Sequence, residues 1–178
     1  SEVTVEEIQP QESTGGVVKP EPVVKDGETT LIEGTDYMVA YYDETGTTEV
    51  DPQAVGTYMV KITGKGNYAG TVEKTFRIAA VNISDAVAVF AGGEPGFTYD
   101  GTEKEVVVTA TLNGEPLPVD AYDIVYYRGE EATSPVNAGT YTVKIVGKGD
   151  YAGTVEVGTF AIAPKTFSDT TTGTATNP

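Results

Sequence analysis

The chain has 178 residues, enough for one large or two small domains, with 27 acidic side chains against 11 lysines and arginines and a net charge of −16. It contains no cysteine and no histidine, which excludes disulfides, thiolate chemistry, Ser-His-Asp and Cys-His nucleophile systems and zinc hydrolysis built on those ligands. No lysine or arginine cluster exists, so neither nucleic acid nor an anionic membrane surface is an expected partner, and no apolar run approaches the ~20 residues that span a bilayer.

In chain order, residues 3–8 are the first predicted strand. Residues 17–24 are the next, weakened by Pro20 and Pro22, which donate no ladder hydrogen bond. Lys25-Asp26-Gly27 makes a turn, residues 37–42 a strand, and Tyr58, Val60 and Ile62 share one face of the strand that follows. Val72, Phe76 and Ile78 fall on one face of the next, with Lys74 as the exception. Ala79-Ala80-Val81 leaves almost no slack before residues 86–90, a β-prone run closed by Gly92-Gly93-Glu94-Pro95-Gly96. Then come Phe97-Thr98-Tyr99, residues 105–112 with the tight-turn pair Asn113-Gly114, and residues 122–128, 139–146 and 154–163. Short strands, frequent turn signals and no helical periodicity predict an all-β chain of β-sandwiches.

The chain also repeats itself. Residues 56–73 reappear at 139–156 with only Met59, Thr63 and Asn67 changed, to Thr142, Val146 and Asp150. Upstream the offset drifts from 83 residues to 87, Gly27 answering to Gly114, as indels in loops produce. Two domains follow, 1–80 and 81–164, with 165–178 as a polar, threonine-rich linker or tail. Phe76 matches Phe160, so the second repeat carries one extra residue in its last strand. Gly158 is suited to absorb it as a β-bulge, which keeps Phe160 and Ile162 inward.

Asn137-Ala138-Gly139-Thr140-Tyr141-Thr142-Val143 has the spacing of the tyrosine corner of immunoglobulin-type sandwiches, with Val143, and Val60 in the first repeat, where those domains place a cysteine. With Tyr99-Asp100-Gly101-Thr102, residues 36–42 and both Gly-Thr-Tyr…Gly-Lys-Gly-(Asn/Asp)-Tyr-Ala-Gly-Thr runs, the chain resembles the bacterial Ig-like repeats of Gram-positive surface proteins, the MBG- or YDG-type modules. The resemblance extends nearly to Pro164. It implies two tandem immunoglobulin-like β-sandwiches in a large cell-wall or secreted protein, with adhesive or spacer roles and no catalytic residues to carry over. It departs at Ser13-Thr14-Gly15-Gly16, where the first repeat lacks a tyrosine equivalent to Tyr99.

Candidate ligand contacts are Lys65, Tyr68, Lys148 and Tyr151, on loops that the repeats share. The competing reading is that glycine supplies positive φ there and the tyrosine folds back as a plug. Asp43, Glu44, Glu49 and Asp51 cluster without calcium-loop spacing and read as a solvated loop, as do Glu130 and Glu131. A Lys–Asn isopeptide crosslink has nominal ingredients in Lys104 or Lys144 with Asn137, but Lys144 has the outward register and an exposed lysine is the expectation. Tyr41, Tyr42, Tyr126 and Tyr127 are the densest aromatic supply, one of each pair expected outside. No catalytic residue, metal or cofactor is expected. The leading function is a non-catalytic structural spacer or stalk, with an adhesive module binding host glycan or glycoprotein as the alternative. The expected location is extracellular, at the cell wall or cell surface, with signal and anchor outside this sequence. The expected state is a monomer whose partners are neighbouring domains of a longer chain.

Overall fold

A computed structural model describes residues 2–167, so the expected tail lies, from residue 168 on, outside the described residues. The chain is all-β. It divides into two compact units: residues up to Ser84 with Asp120–Tyr122 and Gly147–Gly153, and the remainder.

In the first unit, Thr71–Ala79 pairs antiparallel with Gly56–Gly64, and that strand pairs antiparallel with Tyr37–Tyr42. Gln11–Glu12 closes this four-stranded sheet, running parallel to Thr71–Ala79. A three-stranded sheet holds Val3–Val5, Val24–Asp26 and Thr29–Thr30. The opening segment therefore changes sheets, its first half in one and its second half in the other. Val24 and Leu31 meet Tyr37, Tyr41, Val60, Ile62, Phe76 and Ile78 in one core. Full burial of such side chains supplies roughly 1.5–3 kcal/mol each.

The second sequence repeat follows the same plan. Its five-stranded sheet runs Gly96–Thr98, Thr154–Ala163, Gly139–Gly147, Tyr122–Arg128, Glu131–Ala132, and its three-stranded sheet Glu115–Pro116, Val108–Leu112, Val87–Phe90. Tyr141, Val143, Ile145, Phe160 and Ile162 are buried from the first sheet, and Ala88, Val108 and Ala110 from the second. The expected bulge is present. Val143 pairs with Gly158 and Lys144 with Glu156, which leaves Val157 as the extra residue. Gly158 takes a φ of 147° and leaves room for the Phe90 ring, 3.2 Å from where a Cβ would stand.

Several predicted elements are shorter than expected, for reasons of hydrogen bonding. Residues 17–24 contribute only Val24 to a strand, Val24–Asp26. Pro20 and Pro22 have no N–H, and their carbonyls instead accept the hydroxyls of Tyr41 (2.9 Å) and Tyr37 (3.3 Å). In the second unit the same place is bonded in reverse, the Val106 N–H donating to the Tyr126 hydroxyl across 3.1 Å. The predicted strand 105–112 accordingly begins at Val108, because Val106 N–H is turned to the other sheet. The first strand stops at Val5 rather than residue 8. The hairpin turns also correct one match: Asp26 pairs with Thr29 and Leu112 with Glu115, so Gly27 answers to Asn113 rather than to Gly114, with φ of 59° and 53°.

The missing tyrosine at 13–16 does not disturb the opening segment. Ser13 N–H donates to the Ala79 carbonyl and Tyr99 N–H to that of Ala163, both at 2.8 Å. The backbone makes this bond, so the side chain is free to differ.

Candidate functional site

The two shared loops are built from the same three backbone bonds. Gly64 N–H reaches Gly70 O and Gly147 N–H reaches Gly153 O, each at 2.9 Å. Lys65 N–H donates to Asp36 O (2.8 Å) and Lys148 N–H to Ala121 O (3.0 Å), while Tyr68 and Tyr151 N–H close onto the carbonyls of Lys65 and Lys148, both at 3.1 Å. Gly64 and Gly147 are required by close approach, since a Cβ at either would come within 2.8 Å of the backbone N–H nitrogen of Ala69 or Ala152.

All four candidate contacts lie on these loops, one Lys–Tyr pair on each. Lys65 is exposed, yet its ammonium donates to Gly34 O at 2.6 Å. Tyr68 is half-buried, and its hydroxyl lies 3.4 Å from Asp26 Oδ2. Burial first, then the carboxylates of Asp26 and Asp36, pushes its phenol above the usual value. Lys148 is exposed and Tyr151 half-buried. Tyr151–Ala152 pairs parallel with Val81–Asn82.

The acidic loop of the first unit is organised around one carboxylate. Asp43 Oδ1 accepts the Thr45 hydroxyl at 2.7 Å and the N–H groups of Thr47 and Thr48 at 3.1 and 3.4 Å. These bonds, the Thr45 hydroxyl foremost, hold its pKa down at about 2. Asp51 pairs with Lys19 at 2.5 Å. Among the described residues no group of three or more acidic side chains stands where it could hold a metal ion.

Lys104 overturns the exposed-lysine expectation. It is 7% exposed, a buried charge that lies inward because residues 103–108 alternate out and in. Its ammonium pairs with Asp100 and donates to the Thr102 hydroxyl at 2.9 Å. Lys104 holds the Asp100 carboxyl well below the usual range, helped by Thr102. Lys144 is half-buried, its ammonium 5.2 Å from the Tyr127 ring centre, and Lys61 covers Tyr42 likewise at 4.6 Å. None of the four paired tyrosines is exposed: Tyr41 is buried, and Tyr42, Tyr126 and Tyr127 are half-buried. Alternation alone missed this, because the lysines that cover the outer rings sit on the neighbouring strands. Asn137 contributes its backbone carbonyl, which accepts the Tyr141 hydroxyl at 2.8 Å.

Residues 95–166 match the MBG domain. The matching stretch takes in Gly96–Thr98, Lys104, the Tyr141 corner, the Gly147–Gly153 loop and the strand Thr154–Ala163. It covers less than half of the chain, although residues ahead of it carry the same corner and loop. No curated protein matches the chain.

Proposed function

We propose that the chain is a pair of tandem immunoglobulin-like β-sandwich modules, residues 1–80 and 81–164, acting as a non-catalytic spacer in a bacterial surface protein. The observation that carries this reading is the closure of both shared loops onto their own framework by the same backbone bonds. A loop kept nearly identical in sequence and tied down in the same way twice is spent on architecture. Binding loops in neighbouring modules are free to differ, and a contact residue needs a free polar group, whereas the Lys65 ammonium is already bonded to Gly34. The lysines over Tyr42 and Tyr127 likewise remove the aromatic patch that an adhesive face would present. The MBG match of residues 95–166 supports the modular reading. The acidic surface fits a soluble, self-repelling module at a crowded cell wall.

The test is a binding array of host glycans and matrix proteins probed with the whole chain. A spacer gives no saturable binding. Binding that disappears on replacing Lys65, Tyr68, Lys148 and Tyr151 by alanine would establish the adhesive module instead.

A further inference from the structure

Each repeat joins its opening segment to its last long strand in the same way. In the second, Gly96–Thr98 runs parallel to the end of Thr154–Ala163, with Phe97 beside Ile162. In the first, Gln11 stands parallel beside Ile78 and Glu12 beside Ala79. One further bond extends each pair, from Tyr99 N–H to Ala163 O and from Ser13 N–H to Ala79 O, both at 2.8 Å. The other neighbours of these last strands, Gly139–Gly147 and Gly56–Gly64, run antiparallel to them.

Strand direction decides what such a pair resists. In a parallel pair, the N-terminal end of one strand and the C-terminal end of the other lie at opposite ends of the pair. Tension along the chain enters the first strand at its N-terminal end and leaves the last strand at its C-terminal end. It therefore slides one strand along the other. The backbone bonds run across that direction, so they are strained together and none opens ahead of its neighbours. Tension on two ends at the same side would instead open them one at a time. Forced unfolding is governed by the unfolding rate, which is slower when several bonds must break in one step.

The two pairs are not equally strong. Ile78 answers to Ile162 as Phe76 does to Phe160, so Gln11 holds the place of Phe97. Phe97 meets the Phe160 ring edge-on, centroids 5.4 Å apart, and sliding this pair withdraws an aromatic ring from the core. Sliding the first pair moves only a half-buried glutamine. The first repeat also has an ion pair between Lys74 and Glu7 at 2.6 Å, but Glu7 is 76% exposed, and exposed pairs contribute little.

We propose that the parallel pair in each repeat is a mechanical clamp, through which the chain transmits tension along its length without unfolding, and that the second repeat holds to the higher force. The use of such a clamp in a cell rests on the spacer reading. The clamp itself rests on strand direction alone, so a force measurement and the binding array fail independently.

The chain has no cysteine, so single introduced thiols fix the handles for single-molecule pulling of the whole chain. Pulled from its two ends, it should rupture in two events at different forces. Tyr99→Pro removes the N–H that reaches Ala163, at a side chain that is 38% exposed, and should lower the higher force. Glu103→Cys, at an exposed position, sets a handle just beyond the C-terminal end of Gly96–Thr98. Tension between that handle and the C-terminal end of the chain peels the same pair bond by bond, and the second repeat should yield at a force several-fold lower. This comparison keeps Tyr99 and stands even where Tyr99→Pro fails to fold. Equal forces in the two geometries overturn the clamp, and so does a folded Tyr99→Pro chain with both forces unchanged. An effect of Tyr99→Pro on the weaker event alone overturns the ranking of the repeats.

Discussion

Tyr141 donates its hydroxyl to the carbonyl of Asn137 across 2.8 Å while its ring stacks on Phe160, centroids 5.6 Å apart. Tyr58 repeats the arrangement with the Ala54 carbonyl at 2.9 Å and with Phe76 at 5.7 Å. In each unit one side chain thus joins the loop ahead of a long strand to the aromatic centre of the core.

Tyr141→Phe keeps the stack and removes the hydrogen bond, so it should cost about 1 kcal/mol, the net worth of a typical bond of this kind. Tyr58→Phe should cost less, because its bond lies at the solvent-exposed surface. Urea unfolding of the whole chain measures both. No loss at Tyr141 would mean that the corner bond does not stabilise the fold, and equal losses would mean that exposure does not weaken it at Tyr58.

The Lys104–Asp100 pair should be visible in acid. The folded pKa of Asp100 lies below the ordinary aspartate value of 3.8. Its stabilising contribution is therefore complete above that value and disappears as the pH falls through the depressed folded value. Asp100→Asn should lower the melting temperature at pH 7, and the difference from the parent should shrink below pH 4. Lys104→Met, which puts an apolar chain where the first unit has Val18, should recover the loss in the double variant. A pH-independent deficit would assign the effect to something other than the ion pair.

Much of the fold was legible because alternation and glycine placement leave few choices. Tyr122–Arg128 and Thr154–Ala163 have the predicted bounds, and the Gly158 bulge followed from one extra residue between Tyr151 and Phe160. What escaped the sequence depends on partners distant in the chain. Nothing local says that Tyr41 donates to Pro20 while Tyr126 accepts from Val106. Lys104 is a different case: the alternation it shares with Val106 and Val108 predicts its inward turn, and only its ion pair with Asp100 leaves no pattern in the sequence. The shared loops announced themselves by repetition, but their hold on Asp36 and Ala121 is made by the backbone and leaves no mark in residue type.

Gly158→Ala should destabilise the second unit by about 1–3 kcal/mol, because it strains a φ of 147° and brings a Cβ within 3.2 Å of the Phe90 ring. Gly149→Asn is the control: its φ of 63° suits asparagine and nothing lies within 4 Å. Comparable losses in the two variants would show that the bulge is not specially demanding.

At high pH the first unit should yield before the aromatic core is otherwise perturbed. Burial first, then the carboxylates of Glu33 and Glu21, pushes the Tyr41 phenol up to about 12 from 10.0. The neutral form is favoured in the fold, so this stabilisation is complete below pH 10 and is lost as the pH rises from 10 towards 12. Tyr41→Phe should flatten that part of the stability profile while costing about 1 kcal/mol at neutral pH, where it leaves the Pro20 carbonyl without its hydroxyl partner. Alkaline melts of the parent and variant that run parallel would contradict the assignment.

Ile83 and Phe167 hold equivalent positions, one fully buried and the other wholly exposed. Ile83→Ala should therefore cost about 3 kcal/mol, as truncations of buried isoleucine do, and should speed hydrogen exchange at its own amide, which donates to Ala152 O. Phe167→Ala should change stability by less than about 0.5 kcal/mol in the single chain. The two substitutions remove similar apolar groups from equivalent places, so the gap between them measures what docking beside a Gly-Lys-Gly loop contributes. If Ile83→Ala proved as mild as Phe167→Ala, the strand at 81–83 would not be docked.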